Sequence, residues 1–289
     1  MKVVIAGGTG FLGSALAASL RLDGHHVLVM TRHPKAHDEV PWTDPTVLDG
    51  ADAVVNLAGE PIDQRWTAAR RRQIRDSRVE GTTLIANAIA KLRPRPLVLA
   101  NGSAMGYYGD RGDELLDEAS WQGSGFLAEV TAEWERASDP ARDAGIRVIN
   151  LRTGLVLDKS GGALARMLLP FRLGVGGRLG SGAQWMSWIA LDDWVGAVLN
   201  LLQTDTAVGP TNLVAPNPVR NAEFTSTLAR VLKRPSFAAV PAFALGLIFG
   251  EMARETLLAS QRVKPKRLTE GGYVFEYPQL EGALRRALK

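Results

Sequence analysis

The stretch Val3-Val4-Ile5-Ala6-Gly7-Gly8-Thr9-Gly10-Phe11-Leu12-Gly13 decides the fold class. Its first four residues form a short apolar run before a pair of glycines, which is typical of a buried parallel strand. The residues that follow, Phe11–Leu22, place Leu12, Leu16 and Leu20 on one helical face. A strand, a turn with glycine at positions 8, 10 and 13, and a helix together form the fingerprint of a dinucleotide-binding turn.

The glycine turn has the properties that a pyrophosphate site requires. One glycine permits the tight turn, another lets the main chain approach the phosphates, and Gly13 lets the helix lie close to the strand. The free N–H groups at the start of the helix favour an anion there. We therefore predict cofactor contacts at Gly7, Thr9, Gly10, Phe11, Leu12 and Gly13.

Strands and helices continue to alternate along the chain. Further strands are predicted at Val27–Met30, Ala51–Leu57, Leu97–Ala100, Ile146–Leu151 and Thr211–Val214. Helices are predicted from about Thr67 to Leu92 and at Leu127–Ala144 and Asp192–Leu202. This alternation indicates an α/β Rossmann fold, in which helices cover both faces of a doubly wound parallel sheet.

The sequence after Arg152 is richer in glycine and predicts a smaller C-terminal substrate lobe. We place the Rossmann domain at residues 1–215, with an insertion near 158–185, and the lobe at residues 216–289. The insertion carries a predicted helix near Ala163–Leu173, and a strand is predicted at Trp185–Ile189. The lobe itself is predicted to hold three helices and a short strand at Tyr273–Phe275. The tryptophans and arginines of the insertion either line a site for a planar or anionic small molecule or pack between the lobes.

Composition excludes several classes of protein. The 289 residues are 46% hydrophobic and 22% charged, which is ordinary for a globular chain with a real core. The chain has no cysteine, which excludes disulfides, iron–sulfur clusters and a thiol nucleophile. A net charge of +4 is too small to predict nucleic-acid binding. The four histidines fall between His25 and His37 without a carboxylate cluster, so no metal site is predicted.

The sequence predicts neither a membrane segment nor a signal peptide. No run reaches the roughly 18–20 apolar residues of a membrane span, so we expect a cytoplasmic protein without a membrane partner. The longest uncharged apolar run, Ala238 to Gly250, predicts a buried helix or a subunit contact. The formation of a homodimer is therefore one of two alternatives that the sequence leaves undecided.

The end of the second strand predicts which dinucleotide binds. NAD-binding proteins place a carboxylate there, whereas this strand ends in Met30-Thr31-Arg32. A guanidinium matches phosphate geometry, so Thr31 and Arg32 favour the 2′-phosphate of NADP. Arg78 lies on the same helix face as Ile74 and Ile85. Its anion partner is either a cofactor phosphate or a buried carboxylate.

Several segments match one family pattern. They are Gly7–Gly13, Asn56-Leu57-Ala58-Gly59-Glu60, Ser103-Ala104-Met105-Gly106-Tyr107-Tyr108-Gly109, Ser187-Trp188-Ile189 followed by Asp192, Asn212-Leu213-Val214-Ala215-Pro216 and Ser260-Gln261-Arg262-Val263. On these segments the chain resembles the extended short-chain dehydrogenase/reductase superfamily, and more narrowly its atypical epimerase-family branch with a short extra C-terminal domain. The resemblance implies that the nicotinamide lies over the carboxyl ends of the strands.

The resemblance also implies the remaining cofactor contacts. Leu57, Ala58, Gly59 and Glu60 would lie beside the cofactor. Glu60 could instead be a catalytic base or a surface carboxylate. Arg152 would lie at the nicotinamide end or serve as a structural ion-pair partner.

The sequence departs from this superfamily at its catalytic dyad. Members carry the reacting proton on a tyrosine, with a lysine four residues later, and these positions fall at Phe126 and Val130 here. Ser103 stands where the substrate-positioning serine belongs, and Tyr107 and Tyr108 are candidate substitutes for the missing tyrosine. The expected function is an NADP-binding oxidoreductase or epimerase-like enzyme of atypical mechanism, acting on a small molecule. The alternative is a non-catalytic NADP(H)-sensing or scaffold protein.

Overall fold

The computed structural model describes residues 1–42, 44–236 and 238–289. Its strands are β1 (Lys2–Ala6), β2 (His26–Thr31), β3 (Glu39–Pro41), β4 (Ala53–Asn56), β5 (Val98–Ala104), β6 (Leu115–Leu116), β7 (Arg147–Thr153), β8 (Leu155–Leu157), β9 (Gly177–Leu179), β10 (Trp185–Met186), β11 (Trp188–Ala190), β12 (Gly209–Leu213), β13 (Val219–Arg220), β14 (Ala238–Val240) and β15 (Arg262–Val263). Its α-helices are α1 (Phe11–Leu22), α2 (Ala68–Lys91), α3 (Phe126–Arg136), α4 (Asp139–Asp143), α5 (Gly162–Arg172), α6 (Leu191–Gln203), α7 (Asn221–Leu232), α8 (Ala242–Phe249), α9 (Lys266–Glu270) and α10 (Leu280–Ala287).

Seven of the described strands form one parallel sheet in the order β3-β2-β1-β4-β5-β7-β12. The chain enters at β1, runs outward to β3, returns to β4 on the other side of β1, and runs outward again. This reversal leaves a crevice at the carboxyl ends of β1 and β4, which is where open α/β sheets bind their ligands. The predicted Rossmann fold is confirmed.

Helices cover both faces of the sheet, and the main core lies beneath them. On one face α1 and α6 pack against side chains that include Ile5, Val29 and Leu151. On the other face α2 and α4 pack against Val54 and Leu99. Because both faces are covered, the central strands are almost continuous apolar runs, the pattern that marked them in the sequence.

A second apolar cluster forms the core of the C-terminal lobe, where α5, α7 and α10 pack around the parallel pair β8 and β11. Between α8 and α9 the chain returns to the sheet domain, where β15 pairs with β6 in the long loop after β5. Asp193 in the first turn of α6 accepts the main-chain N–H groups of Glu276 and Tyr277 at 2.7 and 2.9 Å. The C-terminal part of the chain is thus bonded to the loop after β5 and to the first turn of α6.

The prediction of one continuous helix over residues 127–144 is wrong. The chain forms α3 and α4 instead, with a break at Ala137 and Ser138. Pro140 lies in the first turn of α4, where its missing N–H requires no partner. A proline further inside one continuous helix would have removed a hydrogen bond.

Two predicted strands near the lobe are also wrong in detail. Residues 185–189 form two strands, since β10 pairs antiparallel with β13 and β11 pairs parallel with β8. Ser187 lies between them, and its hydroxyl bonds the main chain of Gln261 and Val263. Tyr273–Phe275 has no strand geometry. The Tyr273 hydroxyl donates to the carbonyl of Asp193 at 3.0 Å.

Helix α8 lies within the longest uncharged apolar run and is largely exposed. Phe243, Leu247 and Ile248 keep most of their surface in solvent, and Leu245 is the buried residue of the helix. The buried-helix interpretation of this run is therefore wrong, and the subunit contact stays a prediction. Within the described ranges, no helix has the length and apolar character needed to cross a bilayer.

Candidate functional site

The glycine turn after β1 is packed too closely to accept side chains. Gly7 has a φ of +79°, and a Cβ there would lie 2.8 Å from the main-chain nitrogen of Ala58. A Cβ on Gly13 would lie 2.7 Å from the Cα of Gly8 and would also meet the carbonyl oxygen of Gly7. The turn therefore brings α1 directly against the end of β1, as the glycine spacing predicts.

The N-terminus of α1 is open to an anion. Gly10 is its N-cap residue, and no side chain caps the helix, so the first-turn N–H groups keep their hydrogen-bonding capacity. Thr9 and Gly10 are exposed at the top of the turn. Leu12 is half-buried and packs against the core between the sheet and α1. The ring of Phe11 packs on Gly161, where a Cβ would lie 2.5 Å from the ring. The uncapped helix and the close main-chain cradle fit a pyrophosphate group.

The loop after β4 is held beside this turn by a buried polar network. Leu57 donates its N–H to the carbonyl of Ala6 at 2.8 Å, and Ala58 donates to the side-chain oxygen of Asn56 at 3.3 Å. The Asn56 amide in turn donates to Thr82 and Asn101 at 2.8 and 2.9 Å. Leu57, Ala58, Gly59 and Glu60 are thereby fixed at the crevice.

Arg78 reaches this loop from α2. Its Nη1 donates to the carbonyls of Glu60 and Ile74, both at 3.0 Å, and a Cβ on Gly59 would lie 3.0 Å from its Cζ. Burial lowers the pKa of the Arg78 guanidinium to about 10, against the attraction of Glu60. Among the described residues no carboxylate pairs with Arg78, so the buried-carboxylate alternative is excluded there.

A carboxylate does lie near the end of β2, but it comes from Glu60 in the loop after β4. Arg32, whose side chain is 77% exposed, donates from Nη1 to Oε1 of Glu60 at 3.0 Å. Arg70 on α2 lies 3.5 Å from the other carboxylate oxygen. Thr31, at the end of β2, accepts the N–H of His33 with its hydroxyl at 3.4 Å. Sequence reasoning found each residue but missed the pair, because 28 positions separate Arg32 from Glu60.

Ser103 and Arg152 lie side by side on β5 and β7 and share one carboxylate. The Ser103 hydroxyl donates to Oε1 of Glu135 at 2.6 Å. Arg152 is 3% exposed and makes two bonds to Glu135, at 2.7 and 2.9 Å. The remaining Arg152 nitrogen donates to the Tyr108 hydroxyl at 3.0 Å. Of the two roles open to Arg152, this geometry favours the structural ion pair, because each of its three nitrogens bonds to Glu135 or Tyr108.

Glu135 is a residue that sequence reasoning missed. The signal that could have found it is the parallel pairing of two polar strand ends, because a buried arginine beside a buried serine requires an anion on the covering helix. Glu135 lies near the end of α3, which is that helix.

Tyr108 is fully buried, which corrects its predicted role as a proton donor. Its hydroxyl donates to Oδ1 of Asn212 at 2.7 Å, and the Asn212 amide donates to the carbonyl of Lys264 at 3.0 Å. Burial raises the pKa of Tyr108 to about 12, although Arg152 opposes this shift. Through Asn212, Tyr108 therefore connects the sheet to the residues that follow β15.

Tyr107 presents a different environment. The Arg152 guanidinium lies 3.5 Å from the centroid of the Tyr107 ring, and the Tyr108 ring packs edge-on at 5.4 Å. The side chain is half-buried, and its hydroxyl bonds to none of the described protein groups. Of the two tyrosines, Tyr107 alone combines an unengaged phenol with a cation against its ring.

The two dyad positions lie in an apolar cluster. Phe126 and Val130 pack with Trp66, Ile74 and Met252, and the Trp66 and Phe126 rings meet edge-on at 5.1 Å. This described cluster contains no tyrosine, and the cation that meets it is the Arg71 guanidinium, 4.5 Å from the centroid of the Phe126 ring. The usual dyad is thus replaced by packing.

Comparison with known proteins gives consistent matches over the whole chain. A model of the NAD dependent epimerase/dehydratase family matches residues 3–215, and a domain of unknown function (DUF1731) matches residues 240–287. An epimerase family protein of Mycobacterium tuberculosis is 43% identical over 98% of this chain and 96% of its own. The epimerase family protein SDR39U1 of Bos taurus is 39% identical over the full length of both chains. The crystal structure of human SDR39U1 with NADPH superposes with a TM-score of 0.95 at 36% identity and covers 100% of both chains.

Proposed function

The chain belongs to the NAD-dependent epimerase/dehydratase family, and from this premise we propose that it is an NADP(H)-dependent oxidoreductase or epimerase-like enzyme acting on a small molecule. NADPH is the cofactor in the human relative's structure. When bound, the nicotinamide supplies hydride transfer to or from a carbon of the substrate. The protein must then bind the cofactor, orient the substrate and carry the accompanying proton.

The cofactor-binding role rests on the crevice at the carboxyl ends of β1 and β4. The open N-terminus of α1 would take the pyrophosphate, and the Arg78 guanidinium beside Gly59 would supply a second positive group. Arg32 would bind the 2′-phosphate, because its side chain is exposed and its guanidinium geometry suits that group.

The observation that carries the catalytic proposal is the Arg152 guanidinium against the face of Tyr107. A phenol has an ordinary pKa near 10, so it donates or accepts a proton near neutrality only with help from a cation. In the superfamily a lysine gives that help; here Arg152 is the candidate. Ser103 and Glu135 would hold Arg152 in place and would not touch the substrate.

The proton balance of the proposed step is simple. In the reducing direction the carbonyl carbon of the substrate gains a hydride, and the Tyr107 hydroxyl gives its proton to the carbonyl oxygen. The product is an alcohol, and the phenolate of Tyr107 recovers its proton from solvent. In the oxidising direction Tyr107 accepts the same proton.

We expect Tyr107→Phe to lower turnover by about 10²–10⁴-fold, the usual range for a lost general acid, with NADPH affinity unchanged. Activity is found first by following NADPH absorbance against a panel of aldehydes, ketones, 2-oxo acids and nucleotide sugars. Tyr108→Phe is the matched control. It should lower the melting temperature, because it leaves Asn212 and Arg152 without the buried hydroxyl. Wild-type turnover in Tyr107→Phe would exclude Tyr107 as the proton donor.

The second candidate function is a non-catalytic NADP(H) sensor. The observation that favours it is the apolar packing of Phe126 and Val130 at the dyad positions. A protein that binds NADPH tightly yet oxidises it with no member of the panel would support the sensor. Turnover that falls in Tyr107→Phe would support the enzyme.

A further inference from the structure

The Arg32–Glu60 ion pair joins loops from two strands that flank β1, and so it crosses the crevice above the glycine turn. We propose that Glu60 sets the balance between the two nicotinamide cofactors. Its carboxylate would accept the ribose 2′-hydroxyl of NAD(H), and it would compete with the 2′-phosphate of NADP(H) for Arg32. This inference rests on the cofactor site of the proposed function.

The first argument is that Glu60 is held in place. Its main-chain N–H donates to the hydroxyl of Ser77 at 3.1 Å, and its carbonyl accepts from Arg78 at 3.0 Å. Both partners are on α2, so the main chain of Glu60 is fixed against a rigid element. Its side chain can therefore exchange partners without moving the loop.

The second argument is that the two arginines that pair with Glu60 differ in burial and in their other hydrogen bonds. Arg70 has a side-chain exposure of 16% and donates to the carbonyl of Pro61 at 2.6 Å, so it is anchored independently of the carboxylate. Arg32 has a side-chain exposure of 77%, and Glu60 is its one ion-pair partner among the described residues. An exposed pair of this kind is weak and screened by salt, so a stronger anion can displace it.

The third argument is that the other acids near the end of β2 are engaged elsewhere. Asp38 pairs with Arg21, and Glu39 accepts the main-chain N–H of Lys35 at 2.6 Å. In this part of the described chain, Glu60 is the acid that meets Arg32. From the loop after β4 it supplies the carboxylate that NAD-binding proteins carry at the end of their second strand.

The chemistry of the two cofactors then predicts opposite effects of one charge. A hydroxyl donates to a carboxylate, so Glu60 favours NAD(H). A phosphate is repelled by the same carboxylate and can bind Arg32 only by displacing Glu60 from its ion pair. Glu60 therefore disfavours NADP(H). Arg32 has the reverse preference because it binds the phosphate and offers little to a hydroxyl.

The test is equilibrium binding of NADPH and NADH, each followed by nucleotide fluorescence, to the wild type and to Glu60→Gln. We expect the Kd for NADPH to fall by about threefold or more and the Kd for NADH to rise by a similar factor. Arg32→Ala should raise the Kd for NADPH by about tenfold and leave the Kd for NADH nearly unchanged, because Arg32 binds the phosphate and offers little to a hydroxyl. Glu223→Gln, which removes one exposed negative charge on α7, should leave both constants unchanged.

An unchanged ratio of the two constants in Glu60→Gln overturns the inference. Weaker NADPH binding also overturns it, because Glu60 would then orient Arg32 for the phosphate instead of competing for it. If Glu60→Gln lowers the melting temperature of the free protein, Arg32→Ala supplies the test: its NADH affinity should hold while its NADPH affinity falls. Failure of the wild type to bind either cofactor is a different result, since it contradicts the proposed function itself.

Discussion

At the scale of single residues, Gly13 shows how closely the cofactor turn is built. A Cβ at this position meets the main chain of Gly7 and Gly8, so α1 would have to move away from β1. We expect Gly13→Ala to lower the free energy of unfolding by about 1–3 kcal/mol and to weaken NADPH binding. Urea unfolding and a cofactor titration measure the two effects.

The matched control for this substitution is Gly282→Ala in α10. A Cβ on Gly282 has no neighbour within 4 Å, so the alanine should be neutral or should stabilise the helix by about 0.5–1 kcal/mol. A Gly13→Ala protein as stable as the wild type, with undiminished NADPH affinity, would contradict the packing argument.

Residues were predictable from the sequence where their surroundings are local. The glycine turn and α1 were predicted with their bounds, because the spacing of glycines and leucines within residues 7–22 determines them. The roles of Glu135 and Asn212 could not be predicted in this way. Glu135 meets Ser103 and Arg152, and Asn212 meets Tyr108, only after distant strands have come together. Which way Tyr107 and Tyr108 point depends on the same contacts, and adjacent tyrosines in a sequence give no sign of it.

At the scale of elements, α3 depends on a residue from the C-terminal domain. Glu255 accepts the N–H groups of Phe126 and Leu127 at 2.9 and 2.8 Å, one on each carboxylate oxygen. Its π-helical turn, Ala253–Leu257, thus caps the start of α3. The carboxylate satisfies two free donors and complements the positive end of the helix.

We expect Glu255→Gln to lower the free energy of unfolding by about 1–2 kcal/mol, because one charged cap is lost. Chemical denaturation followed by circular dichroism measures the change. Glu251→Gln is the control from the same segment. Its carboxylate forms a surface pair with Arg71 at 3.0 Å, and its loss should cost no more than about 0.5 kcal/mol. Equal effects of the two substitutions would contradict a specific cap.

The boundaries of an element could be predicted from the sequence when the element has a long, regular apolar pattern. The central strands and α2 stood out because burial gives them long regular runs. The edge strand β3 has three residues and no apolar run, and the break between α3 and α4 lies in a stretch that keeps a helical pattern on both sides. Such features are decided by tertiary contacts.

At the scale of the whole molecule, Asp193 connects the sheet domain to the C-terminal lobe and makes that connection sensitive to pH. Burial is the main cause that raises the pKa of Asp193, and the two N–H bonds from the lobe oppose the rise. Since the folded pKa exceeds the unfolded one, the folded state favours the neutral form. The contribution of Asp193 to stability is complete below its unfolded pKa and is lost as the pH rises through its folded pKa.

We therefore expect the wild type to gain stability relative to Asp193→Asn as pH falls from neutrality toward about 4, the ordinary carboxyl range. Urea unfolding of both proteins over this pH range measures the difference. Asp192→Asn keeps Asp193 and removes a surface pair with Arg286 together with the smallest of the named causes that raise the pKa of Asp193, so its profile should stay close to that of the wild type. A constant difference between wild type and Asp193→Asn would contradict the argument.

The pairing of β15 with β6 has a consequence for synthesis on the ribosome. A nascent chain that has reached Leu213 contains every strand of the seven-stranded sheet, so the sheet can close early. The long loop after β5, which carries Tyr107, still lacks β15, and α3 still lacks its Glu255 cap. The cofactor crevice can thus form during translation, whereas the loop after β5 and the start of α3 receive these partners only after residues 255–263 have emerged.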